Sequence, residues 1–147
     1  MRPDELTRRL GFHAALLFAI GALTGLLLAG AATGVLPAET DAVLAAHLNA
    51  ILGTFLLLGL AFTSRHWCLS ERGRRALVFA FLVSSYANWA VTLTKAFLHV
   101  RGLEISGNVT NDAIAGLLTL FVAVPTLVGA ALWTFAMRKP IAAVAAS

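Results

Sequence analysis

Apolar residues dominate four stretches of the chain, roughly Phe12–Ala32, Ala42–Ser64, Ala76–His99 and Ala113–Met137, with short polar connections between them. Each stretch supplies the about 20 residues that an α-helix needs to cross a hydrocarbon core of about 30 Å. The pattern predicts an all-α integral membrane protein, an antiparallel four-transmembrane-helix bundle forming a single membrane domain over residues 1–147. Polar residues interrupt these runs: His13, His47, Asn49, Tyr86, Asn88, Thr92 and Lys95. A polar group at membrane depth costs free energy without a partner, so each marks a packing contact or a function.

Local signals refine the elements. Gly21, Gly25, Gly30 and Gly34 make two G-x-x-x-G spacings in and just beyond span one; glycines four apart let a second helix approach closely. Pro37 breaks the chain after span one, and Asp41 is the expected N-cap of span two. Gly102 and Gly107 punctuate the connection after span three, Asn111 or Asp112 is expected to cap span four, and Pro125 to kink it. The Ala-rich tail after Pro140 is expected to fray. Span one has basic residues before it and small residues near its end, as a signal peptide does. Its apolar run exceeds the usual 7–15 residues of such a segment, so it is read as a retained helix.

Composition agrees with the membrane reading. Hydrophobic residues are 59% and charged residues 12% of the chain, against about 25% charged in a soluble domain. The net charge of +4 reflects loop asymmetry and calls for no nucleic-acid partner. Arg2, Arg8 and Arg9 precede span one, Arg65, Arg72, Arg74 and Arg75 lie between spans two and three, and Arg138 and Lys139 follow span four. The other two connections hold Glu39, Asp41, Glu104 and Asp112 with Arg101 as their basic residue. The positive-inside rule places both termini and the middle connection in the cytoplasm. Cys68 is the one cysteine, so no intrachain disulfide forms.

Depth decides which polar groups can meet. His47 lies about six residues into span two, roughly 9 Å deep at 1.5 Å per residue. Asn88, Thr92, Lys95 and His99 share one face of span three. With His47, Asn49 and the outer-loop residues Asn108, Asn111 and Asp112, they are expected to converge in the outer half of the bundle. His13 lies at the opposite end of span one, roughly 20 Å from His47 by helix rise, too far for both to ligate one metal within a subunit. The plain alternatives stand beside these. Asn88 and Thr92 serve equally as hydrogen-bonding glue between helices, at about 0.6 kcal/mol each. Lys95 can snorkel to the interface. Tyr86 and Trp89 suit a core, Trp67 and Trp133 an interfacial belt, and His66 and His99 read as interfacial bystanders.

Four short motifs in order, Leu10-Gly11-Phe12-His13, Ala45-Ala46-His47-Leu48-Asn49, Tyr86-Ala87-Asn88-Trp89 and Arg101-Gly102-Leu103, resemble hydroxylaminobenzene mutase and, more distantly, styrene oxide isomerase. The similarity runs from about Leu10 to Met137. It implies a membrane isomerase in a bacterial inner membrane, with surrounding lipid and a small aromatic substrate as its partners. It also implies a homotrimer holding haem b between subunits, with His47 as axial iron ligand. In that picture ferric iron is a Lewis acid, and an aryl hydroxylamine becomes a 2-aminophenol without net oxidation. Three positions depart from the families. Gly53 stands where the epoxide isomerase pattern has asparagine, and Thr92 where it has tyrosine. Asn49 stands where mutases are expected to carry an acid. The Y-A-N-W run favours the mutase side.

A single imidazole leaves one iron face open, as in an activating site rather than an electron carrier. Asn88, Thr92 and Asn49 are the candidates for orienting substrate, and Lys95 or Asp112 for moving a proton. Two rival readings are a small b-type cytochrome and a non-enzymatic membrane subunit or carrier.

Overall fold

The computed structural model describes residues 3–138. Helices α1 (Pro3–Ala32), α2 (Thr40–Thr63) and α3 (Glu71–Leu98) are followed by α4 (Val109–Leu118) and α5 (Val124–Ala136), which a π-helical turn over Thr119–Ala123 joins into one span. A 3₁₀ turn, Ser64–His66, follows α2. The four spans, Glu5–Ala32, Thr40–His66, Glu71–Leu98 and Val109–Ala136, are each long and apolar enough to cross a membrane. No strand occurs among the described residues. The all-α, four-span expectation holds. The expected fraying after Pro140 and the charges of Arg2 and Lys139 lie outside the described residues.

Helices adjacent in sequence pack side by side: α1 on α2, α2 on α3, and α3 on the fourth span. Short connections between antiparallel helices require this order. The helices start earlier than the apolar runs. In α1, Leu6, Leu10, Ala14 and Leu17 are all buried. That helical stripe continues through the arginine-rich segment, where overall hydropathy is low. In α3, Ser70 is the N-cap and accepts a hydrogen bond from the Gly73 N–H, setting the helix start before Ala76.

Gly21 and Gly25 bring α1 against α2 as their spacing predicts. A Cβ on Gly21 would lie 2.9 Å from Ile51 Cδ1, and one on Gly25 3.3 Å from His47 Cε1. The second spacing is not a helix-packing face: Gly30 meets Leu36, and Gly34 turns the chain at φ +72°.

Several local expectations need correction. Glu39, not Asp41, is the N-cap position of α2, and Asp41 sits in the first turn. Asn108, not Asn111 or Asp112, caps the fourth span, accepting from the N–H groups of Thr110 and Asn111. Trp67 is 2% exposed in the main core and donates through Nε1 to Thr63 Oγ1, so it belongs to no interfacial belt. Pro125 acts as expected in kind: it has no N–H, so the helix before it loses a donor and widens, with Val124 N–H bonding back to Thr119 O.

Asn111 organises the connection between α3 and α4. Its Oδ1 accepts from Gly102 N at 2.7 Å and its Nδ2 donates to Glu104 O at 2.7 Å. Gly102 has φ +63°, and a Cβ there would come within 2.2 Å of Ile114 Cγ2. Gly102→Ala combines left-handed strain with overpacking, so it is expected to destabilise the fold by on the order of 2–4 kcal/mol. Unfolding in mixed micelles with an unchanged midpoint would contradict this.

Candidate functional site

Asn49 on α2 ties together two residues of α3. Its Nδ2 donates to Asn88 Oδ1 at 3.1 Å and to Thr92 Oγ1 at 3.2 Å. Asn88 and Thr92 stand one turn apart on one face, as their spacing predicts. An asparagine amide has two N–H donors and one carbonyl acceptor. With both Asn49 donors used, Asn49 keeps its acceptor Oδ1 and Asn88 keeps its Nδ2 donors for another partner.

Asn49 and Asn88 line a cleft of 310 Å³ between α2, α3 and the π turn. That size is at the small end of the 300–1,000 Å³ typical of small-molecule sites. Leu52, Leu56 and Val122 supply apolar wall; Ser84, Ser85 and Thr126 supply further polar atoms. Val122 lies in the π turn and Thr126 just past Pro125, so the helical irregularity that Pro125 imposes forms one side of the cleft. A helical π turn is often found at a functional site.

Ser84 and Ser85 were not read from the sequence as site residues. Their signal was the spacing: they precede Asn88 by four and three positions and share its helix face. Ser85 is 5% exposed, and its Oγ has no hydrogen-bond partner. An unmet buried hydroxyl costs about 1–3 kcal/mol. Gly53 lies opposite: a Cβ there would sit 3.4 Å from Ser85 Oγ and 2.7 Å from Leu17 Cδ2.

His47 belongs to another face of α2. Its Nδ1 lies 2.8 Å from the Gly21 carbonyl oxygen of α1. A carbonyl only accepts, so Nδ1 carries a proton, and the nitrogen that can offer a lone pair to a metal is Nε2. A backbone carbonyl on the opposite ring nitrogen is the usual support of a metal-ligating histidine. The α1–α2 face also carries an almost wholly apolar groove of 390 Å³, lined by Gly11, Ala14, Ala15 and Phe18 of α1 and by Thr54, Phe55 and Leu58 of α2. Phe18 lies one turn from Gly21, the residue that anchors His47. Among the described residues no group of three or more His, Cys, Asp or Glu could together hold a metal ion. His47 does not line that groove, which begins about two turns further along α2 at Thr54; the donor set of this face, one imidazole and apolar surface, suits a cofactor that brings most of its own metal ligands.

The remaining expected residues stand apart from the cleft. Lys95 donates to Arg101 O at 3.3 Å and lines a separate cleft of 210 Å³ with Glu39, Asp41 and Arg101. Asp112 accepts from Ser106 N at 2.8 Å and Gly107 N at 3.1 Å, clamping the loop before α4. Neither lines the cleft that holds Asn49 and Asn88. His13 and Tyr86 pair between α1 and α3, with His13 Nδ1 and Tyr86 Oη 3.1 Å apart. Trp89 Nε1 donates to the buried Thr24 Oγ1 at 2.9 Å, and Thr24 too went unread as a partner. His99 is exposed and ends α3 in the left-handed conformation.

These features define a class: a small helical membrane bundle with a polar-headed cleft between its spans and an imidazole presented on a second face. The family follows from the sequence as a whole. The model of the styrene oxide isomerase family matches residues 6–139, and the chain belongs to that family. It is the more distant of the two resemblances read from the motifs. The family is one of isomerases, so the chain is assigned to membrane-embedded isomerases in general. No curated protein matches the chain, and no solved structure does.

Proposed function

We propose that the protein rearranges an aryl hydroxylamine to a 2-aminophenol, with haem b held by His47. The observation that carries the substrate reading is the sharing of hydrogen bonds at Asn49. Its two donors are taken by Asn88 and Thr92, so the cleft offers both an acceptor, Asn49 Oδ1, and a donor, Asn88 Nδ2. A hydroxylamine N–OH group both donates and accepts, and matches the pair. An epoxide only accepts, and would leave Asn49 Oδ1 unmet at a cost. Leu52, Leu56 and Val122 suit the arene.

The rearrangement conserves composition: the N–O bond breaks, oxygen bonds to the ortho carbon, and the hydrogen displaced there ends on nitrogen. Ferric haem, when bound, supplies a Lewis acid for the substrate oxygen. The chain's own groups do the rest. Asn88 Nδ2 donates to the hydroxylamine oxygen and stabilises the charge that develops as the N–O bond lengthens. Asn49 Oδ1 accepts from the N–H or O–H and sets the ring's orientation. Thr92 keeps the Asn49 amide fixed by accepting its second N–H. The apolar wall excludes water, which would otherwise compete for the electron-poor ring.

His47 and Asn49 are two positions apart, roughly 200° around a helix. His47 is held against α1 and Asn49 against α3. A site that uses both takes His47 from one copy and the cleft from its neighbour, in line with a homo-oligomer, a trimer by family resemblance. The location proposed is the bacterial inner membrane, with Arg8, Arg9, Arg72 and Arg75 facing the cytoplasm.

A direct competition tests the substrate class. Purified protein given equal phenylhydroxylamine and styrene oxide is expected to convert the hydroxylamine at least 10²-fold faster, the discrimination that a hydrogen-bonding pocket exerts on an unmatched analogue reaching about 10⁴–10⁵. Preferential aldehyde formation from the epoxide would assign the chain to the other branch.

A further inference from the structure

We infer that Ser85 is a substrate-binding hydroxyl, and that the cleft takes a monocyclic arene whose oxygen substituent reaches Ser85 and Asn88 together. The observation is a contrast within the chain. Of the other five buried hydroxyls among the described residues, Thr92 accepts from Asn49 Nδ2, and four donate to a carbonyl in their own helix or turn: Thr24 to Ile20 O, Thr54 to Ala50 O, Ser64 to Ala61 O and Ser84 to Phe81 O. That local bond is always within reach of a helical serine. Ser85 does not make it, and its Oγ has no protein partner at all.

Position explains what the hydroxyl is for. Ser85 lines the cleft one turn from Asn88, with Gly53 across from it. A side chain at position 53 would crowd this corner, since even a Cβ would stand 3.2 Å from Ser85 Cβ. With glycine there, Ser85 Oγ and Asn88 Nδ2 stand one helical turn apart on one face, roughly 5–6 Å between their Cβ atoms. Ser85 Oγ is buried as it stands; a χ1 rotation toward the cleft lets a single oxygen accept from it and from Asn88 Nδ2. A buried polar group left unsatisfied by the protein is best accounted for by a partner that comes and goes. The apolar residues Leu52, Leu56 and Val122 limit that partner to a ring with a short polar head.

The inference rests on the proposed aryl substrate class but can fail separately from it. The probe is benzyl alcohol, which has carbon where phenylhydroxylamine has nitrogen and so does not rearrange. Ethylbenzene, without a hydroxyl, corrects for partition into detergent. The readout is the ligand-dependent rise in unfolding midpoint of wild type and Ser85→Ala, converted to dissociation constants. The ligand-free variant is expected to melt at or above wild type, because a partnerless buried hydroxyl has been removed. Its affinity for benzyl alcohol is expected to fall roughly five- to tenfold, with ethylbenzene unchanged. Gain of stability with loss of affinity is a combination that a purely structural serine does not give. Wild type that prefers benzyl alcohol, with the full preference kept in Ser85→Ala, overturns the Ser85 assignment and leaves the substrate class standing. Wild type with no preference for benzyl alcohol over ethylbenzene overturns both.

Discussion

His47→Ala is expected to purify as a folded bundle with no Soret band and no isomerase activity. The imidazole makes one protein hydrogen bond, to Gly21 O, worth about 1 kcal/mol net, and Gly25 leaves space beside the ring rather than depending on it. The fold therefore loses little. The function loses the proposed axial ligand, and with it several kcal/mol of charge stabilisation, about 10³-fold or more in rate. Added imidazole is expected to restore part of both the Soret band and the activity, because truncation to alanine leaves room where the ring stood against Gly25. A variant that keeps the wild-type spectrum and rate would remove His47 from the account. Loss of activity together with loss of cooperative unfolding would show His47 to be a packing residue.

Asn88→Ala separates chemistry from helix glue. In the folded protein Asn88 accepts one bond from Asn49, and such bonds between membrane helices average about 0.6 kcal/mol. If glue is its whole role, the unfolding midpoint falls slightly and turnover tracks the folded fraction. If Asn88 Nδ2 stabilises the departing oxygen, kcat falls by about 10²–10³ while stability moves by less than about 1 kcal/mol, the usual result of deleting one preorganised donor. Parallel measurement of kcat and midpoint decides between them. An unchanged kcat sets the polar cluster down as structural.

The two effects differ because the two faces of α2 are built differently. The Asn49 face meets α3 across the polar cleft, and the His47 face meets α1 across small residues, Gly21 and Gly25. This division was the part of the site that the sequence hid. Residue counting along a span gives depth, and depth correctly grouped Asn49, Asn88 and Thr92. Depth says nothing of azimuth, so His47 was expected to converge with them, and the geometry instead holds it against α1. Lys95 and Asp112 were at suitable depth as well, yet each is engaged at the loop end of the bundle.

The spans themselves were legible because 20-residue apolar runs have few other uses. Their ends were not. Leu6 and Leu10 continue the buried stripe of α1 among charges that mask it, and Trp67 looked interfacial by position but is buried in the main core. Capping depended on loop geometry: Asn108 reached the free N–H groups first, which left Asn111 to bind Gly102 and Glu104. Ser85 was invisible for a different reason. Serine in an apolar helix normally satisfies itself, and only its surroundings show that this one does not.

The most direct test of the central claim is product analysis under strictly anaerobic conditions. Purified protein in mild detergent is mixed with phenylhydroxylamine alone, with no electron donor or acceptor. Isomerisation predicts one 2-aminophenol for each phenylhydroxylamine consumed, with hydroxyl oxygen retained from the substrate when it is labelled with ¹⁸O. Absence of 2-aminophenol, or its formation only when a redox partner is added, would contradict the account.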